Sequence, residues 1–164
     1  PMKLSDEGLV KRYRTDIKSA QGVIAMAAVL GIIYVIVGFI TKSWDFYFGI
    51  SVVKLLVIKS LELQKPEQTA AMWLCFAGAA VCIAFYIAAI LLARKNPKRL
   101  LLGLVLYGID TVLLVVLDAI GYFGSFKKED VIDLIFHAFI MIFLVVGVSS
   151  VKKLEKKGIK PEPI

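Results

Sequence analysis

The stretch Leu100–Phe123, LLLGLVLYGIDTVLLVVLDAIGYF, decides the fold. It runs for 24 residues without a Lys, Arg or Glu, longer than the ~20 residues that cross a hydrocarbon core of roughly 30 Å. Within it stand two carboxylates, Asp110 near the middle and Asp118 toward the end. A central Asp costs roughly 2.5 to 3.5 kcal/mol to insert, so a chain that keeps one gives it a protein partner, a wet cavity or a titrating role.

Three other blocks have spanning length: Ala20–Ile40, Ala70–Ala93 and Val131–Val151. Of the 164 residues 59% are hydrophobic, and the mean hydropathy of +0.82 is too apolar for the surface of a soluble domain. The fold expected is an all-α membrane protein, a single four-span domain over residues 1–151 followed by a basic tail, 152–164. Pro1 ahead of Met2 reads as an extraneous residue, and the first block is too long for the core of a cleavable signal.

A fifth block, Trp44–Leu63, carries Asp45, Lys54, Lys59 and Glu62. It reads as an amphipathic helix, interfacial or re-entrant, between the first two spans. If it crossed the membrane, Arg94, Lys95, Lys98 and Arg99 would move to the outside, against the positive-inside rule. With four spans, that cluster joins Lys11, Arg12, Arg14 and Lys18 and the lysines after Val151 on one side. The expectation is a multi-pass protein of a cell or inner membrane with both termini cytoplasmic. Trp44, Phe46, Tyr47, Phe48, Trp73, Tyr122 and Phe126 would belt the outer interface. The net charge of +7 lies in loops and tails, so membrane lipid is the expected partner and nucleic acid is not.

End signals support these bounds. Asn96-Pro97 starts the third span, Gly121 and Gly124 suit its end, and Asp130 with Asp133 suits the start of the fourth. Ala80, Ala84 and Ala88, with Ala27 and Gly31 in the first span, read as small residues that let helices of one bundle approach closely. Cys75 and Cys82 lie about 10 Å apart along one helix, which rules out a disulfide within it and favours two small apolar fillers.

Tyr107, Asp110, Thr111 and Asp118 make one polar stripe on the third span, and Asp133 and His137 share a face of the fourth. Helix ends at Phe123 and Val131 place Asp118 and His137 at one depth, and Asp110 deeper beside Tyr107 and Thr111. Three readings compete. In the leading one, Asp110, Asp118, His137, Tyr107 and Thr111 bind a proton or cation for translocation, with a homo-oligomer enlarging a small pathway. In the second, Asp118, Asp133 and His137 ligate zinc or manganese for hydrolysis near the outer leaflet. In the third, the charges only lock helices together in an accessory or scaffold subunit. Asp133 alone also suits a first-turn acid, and His137 alone a satisfied core histidine. No Gly-rich phosphate loop, CxxC or arginine ladder is present, so no enzyme class follows from motifs.

Overall fold

A computed structural model describes residues 4–41, 49–125 and 127–161. In chain order it contains α1 (Leu4–Thr41), α2 (Ser51–Glu62), α3 (Thr69–Lys95), α4 (Leu100–Ala119) and α5 (Lys128–Lys156), with single 3-10 turns at Pro66–Gln68 and Pro97–Arg99. Among the described residues there is no strand. The four long helices are apolar and long enough to cross a membrane, so the chain is a multi-pass membrane protein. Trp44, Phe46, Tyr47, Phe48 and Phe126 of the expected aromatic belt lie outside the described residues.

Most ends differ from the apolar blocks, and each for a local reason. α1 begins at Leu4, well ahead of Ala20. Val10, Tyr13 and Ile17 make a helical stripe there that packs on Val151 and Leu154 of α5 and on Ile159. Near the chain ends Lys157 also donates to Asp6 at 2.7 Å, and Ser150 donates to Asp16 at 2.8 Å. α5 accordingly continues past the expected Val151 to Lys156.

α4 stops at Ala119 rather than Phe123. Gly121 adopts a φ of +66°, and the N–H groups of Gly121 and Tyr122 return to Asp118 and Leu117 at 3.0 and 2.9 Å. This is a Schellman stop, and it needs the left-handed residue that glycine supplies without steric cost. α5 starts at Lys128, ahead of Val131, because the carboxylate of Asp130 accepts the Lys127 N–H at 2.7 Å and closes its first turn. At the start of the α4 segment the Asn96 side chain accepts the Lys98 N–H at 3.1 Å, with Pro97 in the first turn.

α1 runs antiparallel to α5, α3 to α4, and α4 to α5. The Lys157–Asp6 contact places both chain ends at one end of the bundle, here the lower end. Phe39 of α1 meets Trp73 and Phe76 of α3 at the other, upper end, with ring centroids 6.1 and 5.5 Å apart. The segment joining α1 to α3 therefore leaves from and returns to the upper end. Within it, α2 begins against Asp110, at the middle of α4, and ascends until Lys59 lies 5.3 Å from the ring of Tyr122 beyond the top of α4. Of the two alternatives for the amphipathic helix, the re-entrant one fits this path. Of the expected amphipathic helix at 44–63, residues 44–48 lie outside the described residues, and the described helix is the twelve residues of α2.

α2 packs chiefly on α3, where Leu56 lies under Gly78, and its first residues sit against α1, where Ile50 lies under Gly31. The lower half closes more tightly still. A Cβ on Gly103 would come within 2.6 Å of Ile24, and one on Gly147 would collide with Ala20. The Ala80, Ala84 and Ala88 stripe is a correction: all three are exposed on the outside of the bundle. Phe76, Ala79, Ile83, Tyr86 and Ile90 turn α3 inward instead, while Leu74, Phe85 and Leu91 face outward, where lipid accommodates apolar side chains of any size.

Candidate functional site: a buried Asp–His–Lys network under a half-helix

Asp110 is 2% exposed and its carboxylate sits at the N-terminus of α2. Oδ2 accepts the Ser51 N–H at 2.7 Å and Oδ1 accepts the Val52 N–H at 2.9 Å. The first N–H groups of a helix have no partner of their own and carry the positive end of its dipole. α2 has no side-chain cap from its own residues, so Asp110 supplies one from another helix. Charge-assisted bonds of this kind are the strong ones.

His137, with no exposed surface, lies beside this cap. Its Nε2 is 3.2 Å from Asp110 Oδ2 and 3.1 Å from Ser51 Oγ. Its Nδ1 is 2.9 Å from the backbone carbonyl of Asp133 and 3.2 Å from Asp133 Oδ1. Tyr107 stacks on the imidazole with ring centroids 5.0 Å apart and donates its hydroxyl to the Gly49 carbonyl at 3.0 Å. Tyr86 meets the far side of Tyr107 edge-on, 6.3 Å away.

Lys54, one turn above Ser51, carries the balancing charge. Its ammonium donates to Asp133 Oδ2 at 3.3 Å, lies 4.0 Å from Asp130 and sits 4.7 Å above the Phe123 ring. Higher on α2, Lys59 is partly exposed; its hydrogen bond to Glu62 raises its pKa above the ordinary lysine value.

The geometry reorders the expected column. His137 pairs with Asp110 rather than Asp118, and the helix ends explain why. Asp110 lies nine residues below Ala119 (119 − 110), and His137 lies nine below Lys128 (137 − 128). Both are about 13.5 Å from the ends of their helices and hence level. Asp118 is one residue from the top of α4. Among the described residues its Oδ2 has no hydrogen-bond partner, and no hydrogen bond joins it to His137. Thr111 donates to the Tyr107 carbonyl at 2.7 Å within its own helix, so its hydroxyl is not part of the cluster.

The Asp118, Asp133 and His137 set does not assemble for a metal. Among the described residues no group of three or more His, Cys, Asp or Glu side chains could hold an ion. Both nitrogens of His137 face protein groups, Asp110 and Ser51 on one side and Asp133 on the other. Sequence reasoning missed Ser51 and the Gly49 carbonyl, and it read Lys54 only as a mark of amphipathicity. The nearest signal was Ser51 opening the apolar run SVVKLLVI after Gly49-Ile50.

No protein-family model matches this chain, and neither the curated proteins nor the solved structures contain a match.

Proposed function

We propose that the Asp110–His137 pair is a proton-binding site through which this membrane protein couples proton movement to a change in α2. Hydrogen-bond accounting at His137 carries the reading. A neutral imidazole has one N–H and one bare nitrogen. With the proton on Nδ1, the bare Nε2 can accept from the Ser51 hydroxyl at 3.1 Å but also faces the carboxylate of Asp110 at 3.2 Å with no proton between them. With the proton on Nε2, the bare Nδ1 faces the carbonyl and carboxylate oxygens of Asp133. Either tautomer leaves an acceptor against an acceptor. One further proton, on the ring or on Asp110, relieves the contact between Nε2 and the Asp110 carboxylate. With it the buried charges of Asp110, Asp133, Lys54 and His137 also sum to zero, the condition for keeping charges in an apolar bundle.

The surroundings suit one-sided access. Above the pair the path is polar, through Lys54, Asp133 and Asp130. Below it Ile24, Leu100, Ile140 and Leu144 are all 0 to 1% exposed and close the bundle. A static pore is incompatible with that seal. A carrier that opens each side in turn is compatible with it, and loss of the proton would place a bare carboxylate–imidazole clash at the foot of α2. We place both termini in the cytoplasm, following the basic clusters at the lower end.

The test is proton flux into proteoliposomes carrying a pH-sensitive dye. Flux by the native chain that Asp110→Asn and His137→Gln abolish, at retained helicity, supports the reading. Absence of flux in the native chain overturns it. A second reading, a purely structural lock in an accessory subunit, is favoured by the complete use of both Asp110 oxygens on the α2 N-terminus. It predicts no native flux and loss of thermal stability as the only effect of Asp110→Asn.

A further inference from the structure

We propose that a cavity at the lower end of the bundle binds the phosphodiester headgroup of an anionic phospholipid. The cavity, about 270 Å³, is lined by Lys95, Asn96, Pro97, Lys98, Lys160 and Pro161. Three ammonium groups from three parts of the chain line it, and among the described residues no carboxylate does.

Defined backbone features bring them together. Asn96 and Pro97 fix the 3-10 turn between α3 and α4 that presents Lys95 and Lys98. The Lys98 ammonium bridges to Glu155 of α5 at 2.5 Å. Lys160 arrives through a second Schellman stop. Gly158, with a φ of +70°, donates to Glu155 at 2.9 Å, and Ile159 donates to Leu154 at 3.0 Å. Ile159 then packs with Val10, Tyr13 and Leu154, which turns the following Lys160 and Pro161 over the α3–α4 turn. Like charges converging on a concave surface repel, and one Glu155 offsets one of three. An anion of phosphate size removes that repulsion.

The setting selects a lipid over a free ion. The cavity lies where two spans end, at headgroup depth, and the adjoining helix turns expose Leu91, Leu101 and Leu102 by about half of their surface or more. Acyl chains can lie along those side chains while the phosphate enters among the lysines.

The experiment is native mass spectrometry of the detergent-purified full chain, with phosphatidylglycerol, phosphatidylcholine or inorganic phosphate added. Native protein retains phosphatidylglycerol in preference to phosphatidylcholine. Lys95→Gln with Lys160→Gln weakens that retention about thirtyfold, since each lysine near a charged headgroup contributes about a factor of five. Both side chains are exposed, so the fold tolerates the change, and Lys160→Gln alone gives a smaller loss in the same direction. An equal-charge control, Lys11→Gln with Lys152→Gln, leaves retention unchanged. Equal loss in the control, no preference between the two lipids, or displacement of phosphatidylglycerol by inorganic phosphate each overturns the proposal.

Discussion

The carboxylate of Asp110 accepts the Ser51 N–H at 2.7 Å across 59 positions of sequence. That bond joins the midpoint of a spanning helix to the first turn of a half-helix, and the rest of the polar network hangs from it. The positive end of α2 is buried at Ser51, away from bulk solvent, and Asp110 is buried where a lone carboxylate could not persist. Each makes the other tolerable, as at other half-helix ends that meet charge near a bilayer midplane.

Asp110→Asn removes the charge and leaves one oxygen for the two N–H groups of Ser51 and Val52. An imidazolium at His137 then loses one of its two counter-charges and keeps Asp133, which also serves Lys54. Breaking a buried pair on one side costs about 3–5 kcal/mol. Thermal or denaturant unfolding in detergent should show a large drop, with α2 amides losing hydrogen-exchange protection before those of α4. Uniform loss of protection across the chain would contradict the cap.

Lys54 and Asp133 should behave as a coupled pair. Lys54→Met takes the ammonium away from Asp133, and Asp133→Asn takes from Lys54 the carboxylate at 3.3 Å, so each alone destabilises by more than about 1 kcal/mol. The double variant should be less destabilised than the sum of the two by about 1–3 kcal/mol, because it leaves no unpaired charge there. Additive effects would show that the 3.3 Å contact contributes nothing.

Tyr107→Phe keeps the ring that stacks on His137 but loses the hydrogen bond to the Gly49 carbonyl. The orphaned buried carbonyl should cost about 1–3 kcal/mol. A stability change within 0.5 kcal/mol of zero in the same unfolding assay would mean that the carbonyl finds another donor.

Three glycines should separate by the space around them. Gly147→Ala puts a methyl against the Cβ of Ala20, which cannot move without its helix, and should be the most damaging. Gly103→Ala meets the tip of Ile24, a flexible side chain, and should cost less. At Gly108 the nearest atom to an added Cβ is the end of Met141 at 3.7 Å, so alanine should be neutral or stabilise by about 0.5–1 kcal/mol. Melting temperatures in one detergent rank the three.

Re-entry of α2 has a direct topological test. In a chain with Cys75 and Cys82 replaced by Ala, single cysteines at Thr41 and Gln64 should react with a membrane-impermeant maleimide from the same face of sealed vesicles. Labelling from opposite faces would make α2 a crossing and overturn the fold.

Much of the architecture was legible in the chain itself. Spanning length and apolarity require only that each helix satisfy its own backbone in lipid, so the four spans follow from Leu100–Phe123 and its three counterparts without any contact between them. The Asn96-Pro97 start and the Gly121 stop are local in the same sense. The isolated cost of Asp110 called for a partner, a wet cavity or a titrating role, and His137 was placed in the same cluster. Tertiary structure alone decided who pairs with whom. Pairing depends on helix ends to within one turn, and moving those ends from Phe123 to Ala119 and from Val131 to Lys128 brought His137 level with Asp110 instead of Asp118. The cap on α2 had no local signal at all, since the N–H groups of Ser51 and Val52 find their acceptor on another helix and only the packing of α2 among α1, α3 and α4 puts it there.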